Sequence, residues 1–213
     1  MTAGRATRVL TTVALVLALA SCSHGSSHDG ASAGTTTAPR TEVLVTIGSD
    51  ATFGIGLDNP LSDSWPQLLY HQAFPQSTVL VNAAERAVTV NTAASDEVPL
   101  ALEEHATVVA VWIGDVDLAT GIPAVAFEAS LDALVKRLRD AGARVLVGNL
   151  STAQPGALAY DNAIASVARA RGATLVDVAS ALSATPDIGP SASVTKAASA
   201  HIAQAFSAAV ARS

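Results

Sequence analysis

The chain has 213 residues, of which half are apolar and only 4% are aromatic, so its core must be built mainly from Ala, Val, Leu and Ile. This length suits one domain, and this composition suits helices that alternate with buried parallel strands. The net charge is −6 and Lys and Arg never form a run, which excludes nucleic-acid binding and adhesion to anionic lipid through a basic face. The single cysteine, Cys22, excludes an intrachain disulfide.

The first residues read as a lipoprotein signal peptide that covers residues 1–21. Arg5 and Arg8 form a positive n-region, and Val9–Ala20 forms an apolar h-region that is short for a membrane span, which needs about 20 apolar residues. Residues 19–22, LASC, resemble the bacterial lipobox, in which the cysteine becomes the first mature residue and is diacylated. We therefore predict lipidation of Cys22 (palmitate among the acyl chains) and attachment to the outer face of the cytoplasmic membrane. The alternative is an ordinary signal peptide with a chance cysteine.

Residues 22–40 are predicted to connect the lipid anchor to the folded domain. They are small and polar, with a proline near the end, and such a composition cannot bury a core, so we expect a flexible tether. His24 and His28 lie in this segment. They could bind a metal, but we interpret the segment as a solvated spacer. The folded domain is assigned to residues 41–213.

From residue 41 onward, short β-branched runs alternate with amphipathic stretches. The patterns predict strands at 43–47, 78–82, 106–113, 144–149 and 174–178, and helices at 64–73, 123–141, 158–171 and 196–211. Such alternation predicts a parallel sheet with helices on both faces. Ligands bind such sheets at the carboxyl ends of the strands.

Polar segments follow four of the predicted strands: GSD at 48–50, NAAERA at 82–87, GDVD at 114–117 and NLST at 149–152. The first of them is a tight turn that could present Ser49 or Asp50 as a nucleophile. A second interpretation is an all-oxygen site for Ca²⁺ or Mg²⁺ made by Asp50, Asp115 and Asp117. Alternatively, Asp117 is a structural acid and the other two carboxylates are solvated.

Three of these segments resemble the sequence blocks of the SGNH (GDSL-type) esterases and lipases. The first block of that family is Gly-Asp-Ser-x-Thr-x-Gly, and residues 48–54 read GSDATFG. The second block is Asn-x-Gly-x-x-Gly-x-Thr, and residues 82–89 read NAAERAVT. The third is Gly-x-Asn-Asp, often after Trp-Ile, and residues 112–117 read WIGDVD. Residues 160–178 resemble the actinobacterial branch. The resemblance covers residues 43–210 and implies a flavodoxin-like α/β/α fold in three layers with a five-stranded parallel sheet.

The resemblance also implies a mechanism, and the chain departs from it at the catalytic positions. In the family, a first-turn serine attacks an ester, a histidine near the C-terminus accepts its proton, and backbone N–H groups with an asparagine hold the oxyanion. In register, the nucleophile falls on Asp50 and the family's aspartate falls on Ser49. The oxyanion-hole glycine falls on Ala87 and the asparagine on Val116. The family's histidine falls at about Ser193 or Val194, and its aspartate partner near Pro190 or Ser191.

These departures favour a catalytically impaired domain that binds an acyl chain, a glycan or an envelope protein in the old cleft. Loss of a nucleophile or its base costs about 10⁶ in kcat in a serine hydrolase. The remaining histidines of the domain, His71, His105 and His201, are not placed in the sequence to replace the missing base. The alternative is an active acyl-ester hydrolase that uses Ser49 with another base. We expect a monomer with no cofactor and no nucleic-acid partner.

Overall fold

The computed structural model describes residues 41–150, 155–183 and 194–212. Its five strands form one parallel sheet in the order β2-β1-β3-β4-β5, which confirms the predicted flavodoxin-like topology. The strands are β1 (Val43–Gly48), β2 (Val79–Asn82), β3 (Val108–Trp112), β4 (Arg144–Gly148) and β5 (Thr174–Val176). Each lies where the sequence predicts a strand, with ends that differ by a few residues at most.

Helices connect successive strands and cover both faces of the sheet. The longer ones are α3 (Trp65–Ala73), α4 (Val90–Glu103), α6 (Ala124–Asp140), α7 (Ala157–Arg171) and α9 (Lys196–Val210). The shorter ones are α1 (Asp50–Phe53), α2 (Pro60–Asp63), α5 (Asp115–Ala119) and α8 (Val178–Leu182). In the described part of the chain, no helix has the length and apolarity needed to cross a membrane.

The sequence patterns did not predict α4, which is one of the longer helices. Pro99 lies inside it, and an internal proline usually argues against a helix. The helix forms because the Thr89 hydroxyl caps its first turn by accepting the N–H of Thr92 at 3.4 Å. Its inner face then buries Val90 and Val98, and this packing outweighs the weak local signal.

Two separate hydrophobic cores lie on the two faces of the sheet. One lies between the sheet and α4, α6 and α7, and the other between the sheet and α3, α8 and α9. In the second core, the ring of Trp65 stacks on that of Phe206 with centroids 4.7 Å apart. All described residues of the two cores lie at position 43 or later, and residues 39–213 form one compact unit, so we expect residues 41–213 to fold as a domain.

Candidate functional site

The candidate site begins at the first turn (residues 48–50), where β1 ends and α1 begins. A side chain at Gly48 would place its Cβ 2.2 Å from the Thr52 hydroxyl and 2.4 Å from the Trp112 carbonyl oxygen, so only glycine fits. The Ser49 carbonyl oxygen accepts the N–H groups of Thr52 and Phe53, each at 2.9 Å. This tight turn fixes the direction of each side chain in it.

Ser49 points into the protein. The residue is 2% exposed, and its Oγ accepts the backbone N–H of Val88 at 3.1 Å. Val88 belongs to the β2 loop (residues 83–89), which follows β2 and is itself buried at this position. The hydroxyl thus serves as a hydrogen-bond acceptor inside the domain, and it does not face the surface where a substrate carbonyl would lie.

Asp50 takes the outward position of the turn and contacts the same loop. Its Oδ1 accepts the backbone N–H of Ala87 at 2.9 Å. Ala87 has a φ of 54°, a left-handed conformation that favours glycine, as the alignment with the family's glycine leads one to expect. The backbone N–H is present with alanine in place of the family's glycine, but it already donates its hydrogen bond to the Asp50 carboxylate.

The end of β3 places a second carboxyl group near Asp50. Asp115 is the first residue of α5, and burial, with a smaller effect from the negative charges of Asp50 and Asp117, raises its pKa to about 6. Val116 follows, half-buried, and its aliphatic side chain has no donor for an oxyanion.

Asp117 has a structural role. It is completely buried, and its two carboxylate oxygens accept the N–H of Val90 at 3.3 and 3.0 Å. Burial raises its pKa against the effect of this hydrogen bond. Because Asp117 is directed at the start of α4, the structure does not gather Asp50, Asp115 and Asp117 into a metal site. Within the described ranges, no group of three acidic, His or Cys side chains could hold a metal ion.

Glu97, which the sequence analysis did not single out, and Asn82, the first residue of the second block, hold the β2 loop in place. Glu97 of α4 is 1% exposed, and its carboxyl oxygens accept the N–H of Gly48 at 2.9 Å and of Glu85 at 3.2 Å. Asn82 donates from Nδ2 to the Thr52 carbonyl oxygen at 3.0 Å. The signal for Glu97 was an acid on the apolar face of a helix, and it was missed because the helix itself was missed.

The remaining predicted positions divide between those the structure describes and those it does not. Cys22, Pro190, Ser191 and Ser193 lie outside the described residues. Val194, which follows Ser193, donates its N–H to the Ile55 carbonyl oxygen at 2.9 Å. The start of the last described segment thus lies close to the segment that follows the first turn.

The three histidines of the described domain have no hydrogen bond to the first turn. His71 is exposed in the last turn of α3. His105 lies just before β3, at the amino ends of the parallel strands, whereas Asp50 follows the carboxyl end of β1. His201 lies in α9, and its Nδ1 is buried without a hydrogen-bond partner among the described residues.

Comparison with known proteins identifies the class. A family model described as the GDSL-like lipase/acylhydrolase family matches residues 46–195. The chain therefore belongs to that family, as the sequence resemblance predicted. A search of curated proteins found no match.

Solved structures share the same fold. The crystal structure of TesA has a TM-score of 0.68 at 20% identity, over 79% of this chain and 97% of that one. The psychrotrophic esterase EstA from Pseudoalteromonas sp., inhibited by monoethylphosphonate, has a TM-score of 0.66 at 20% identity, over 80% and 97%. LAE5, an alpha/beta hydrolase enzyme from the metagenome of Lake Arreo in Spain, has a TM-score of 0.68 at 23% identity, over 80% and 95%. At these identities the similarity establishes the fold alone.

Proposed function

We propose that this chain is a cell-envelope lipoprotein whose GDSL-like domain binds a ligand in the family's cleft and does not hydrolyse esters through a serine. The observation that carries the proposal is the orientation of the first turn. Ser49 is 2% exposed and accepts the N–H of Val88, while the register of the first sequence block assigns Asp50 to the family's nucleophile position. A hydroxyl that is almost inaccessible to solvent cannot reach a bound ester unless the first turn rearranges.

The electrostatics of the cleft support the same conclusion. In a serine hydrolase the transition state develops a negative charge, which backbone N–H groups and a side-chain amide stabilise. Here the Ala87 N–H is hydrogen-bonded to Asp50, so a negative charge already lies where the oxyanion would form. Val116 supplies no donor, and loss of one such donor typically costs about 10²–10³ in rate.

These charges also restrict the ligand. With Asp50 and Asp115 at adjacent strand ends, an anionic group would be repelled, so the proposed ligand is a glycan, an acyl chain or a part of an envelope protein that carries no negative charge.

The competing function is an active acyl-ester hydrolase that uses Ser49. Membership of the GDSL-like lipase/acylhydrolase family favours it, because the scaffold of that chemistry is present. It requires the first turn to rearrange so that the Ser49 hydroxyl leaves Val88 and reaches the surface. It also requires a base that none of the three described histidines supplies in this arrangement.

One experiment separates the two functions. The domain comprising residues 41–213 is treated with a fluorophosphonate probe and assayed with a short-chain p-nitrophenyl ester, beside its Ser49→Ala and Ser199→Ala variants. Ser199 is the matched control, because it is also buried and lies in α9 outside the site. We expect no labelling and no turnover above background in any of the three. Labelling and turnover that vanish only in Ser49→Ala would establish the hydrolase and refute our proposal.

The lipoprotein assignment has its own test. Cells that express the full chain are labelled with an alkyne analogue of palmitate, and we expect incorporation that is lost in Cys22→Ala. Incorporation that persists in the variant, or none in either chain, would contradict the lipid anchor without affecting the proposal for the cleft.

A further inference from the structure

Glu97 is a buried carboxyl group that joins the two segments forming the candidate site. It projects from α4, is 1% exposed, and receives one N–H from the first turn and one from the β2 loop. The Gly48 N–H immediately precedes Ser49 and Asp50, and the Glu85 N–H lies two residues before Ala87. A single side chain therefore contacts both the turn and the loop, beside the bonds that Ser49 and Asp50 make to the loop.

We propose that Glu97 is a proton-dependent tie, which keeps the β2 loop closed on the first turn while it carries its proton and lets the loop open as the pH rises. The loop has no regular secondary structure, and beyond Ala83, whose N–H bonds to the Thr46 carbonyl oxygen, side chains accept most of its N–H groups. Those of Ala87 and Val88 bond to Asp50 and Ser49. Movement of the loop away from Glu97 would release both contacts and expose the cleft.

The charges around Glu97 favour its neutral form in the closed loop. Burial is the main cause that raises its pKa to about 8, and the negative charges of Glu85, from the β2 loop, and Asp96, from α4, act in the same direction. The two backbone N–H groups oppose this shift but do not cancel it. No Lys or Arg is hydrogen-bonded to Glu97 among the described residues.

The direction of the pH effect follows from the two pKa values. An open loop would hydrate Glu97 and return its pKa towards 4.5. Between that value and about 8 the closed form binds one more proton than the open form, so each pH unit favours opening by about tenfold. Below this range both forms are protonated, and above it both are ionised, so the opening equilibrium no longer depends on pH.

The inference is tested by hydrogen exchange measured by NMR on residues 41–213 between pH 5 and 9. After correction for intrinsic exchange, we expect the protection of the Ala87 and Val88 amides to fall about tenfold per pH unit up to about pH 8 and then level off. In Glu97→Gln, which resembles the protonated form, protection should not depend on pH. Asp96→Asn, which neutralises the exposed neighbouring acid, should keep the dependence.

A second measurement needs no variant. The amide shifts of Gly48 and Glu85 in the unmodified domain should titrate with a midpoint close to pH 8. A midpoint near 4.5, or protection that does not change with pH, would overturn the inference, as would a Glu97→Gln variant with the pH dependence of the unmodified domain. None of these results depends on ligand binding or ester turnover. The inference about Glu97 and the proposed function can therefore each be contradicted without affecting the other.

Discussion

Asp115 is expected to destabilise the folded protein at neutral pH, and Asp115→Asn should therefore stabilise it. Its pKa rises from 3.8 to about 6 on folding, chiefly because of burial. At about 1.4 kcal/mol per pKa unit, ionisation costs the folded state about 3 kcal/mol. As the pH rises, Asp115 ionises at a lower pH in the unfolded chain than in the folded one. The cost is therefore absent below about pH 4, grows up to about pH 6 and is constant above it. For a domain of this size it corresponds to roughly 6–12 °C in Tm.

The assay is urea denaturation of residues 41–213 and of Asp115→Asn at intervals from pH 4 to pH 8. The variant should match the parent at the acidic end and exceed it by up to about 3 kcal/mol at pH 7. Asp177→Asn provides a control of opposite sign, because hydrogen bonds from Ser180 lower the pKa of Asp177. That variant should lose stability at neutral pH and recover towards the parent at low pH. An Asp115→Asn variant that is no more stable at pH 7 would refute the reasoning.

Two further predictions concern backbone geometry, and both are measured by denaturation. Gly48→Ala should cost about 3 kcal/mol or more, because its Cβ would lie 2.2 Å from the Thr52 hydroxyl. Gly121→Ala, where the space is open and φ is +75°, should cost only about 1–2 kcal/mol, and equal costs would contradict the role of crowding. His105 follows the C-terminal end of α4 and has a φ of 53°, so His105→Gly should stabilise by about 0.5 kcal/mol. Gly142 holds the matching place after α6 with a φ of 89°, so Gly142→Ala should destabilise, and a loss in both variants would contradict the explanation.

The sequence predicts the fold well because its strands are apolar and β-branched throughout. β3 is buried on both faces, and residues such as Val109 and Val111 are fully inaccessible, which produces the continuous apolar run that identifies a central parallel strand. The exception is α4, whose apolar face is interrupted by Glu97 and whose interior contains Pro99. Tertiary contacts stabilise the helix despite both residues, and a local sequence pattern does not reveal such contacts.

The candidate site is less predictable, because it depends on where side chains point within a single turn. The sequence locates Ser49 and Asp50 in the right turn but cannot tell which of them faces the β2 loop from the inside. It also gives no sign that Glu97 reaches Gly48, 49 positions away. These are long-range hydrogen bonds to backbone N–H groups, and they leave no periodic signal in the sequence.

The roles of Ser49 and Asp50 depend on their positions in the turn more than on their residue types. The backbone of the turn is fixed by the space that Gly48 leaves for Thr52, so position 49 must point inward and position 50 outward. Each of the two positions faces an N–H group of the β2 loop. Ser49 accepts the N–H of Val88, and Asp50 accepts that of Ala87. Position 49 thus holds a serine whose hydroxyl accepts the Val88 N–H, and the fold of the turn is kept. At position 50 the carboxylate accepts the Ala87 N–H, which we propose is the group that an oxyanion would need.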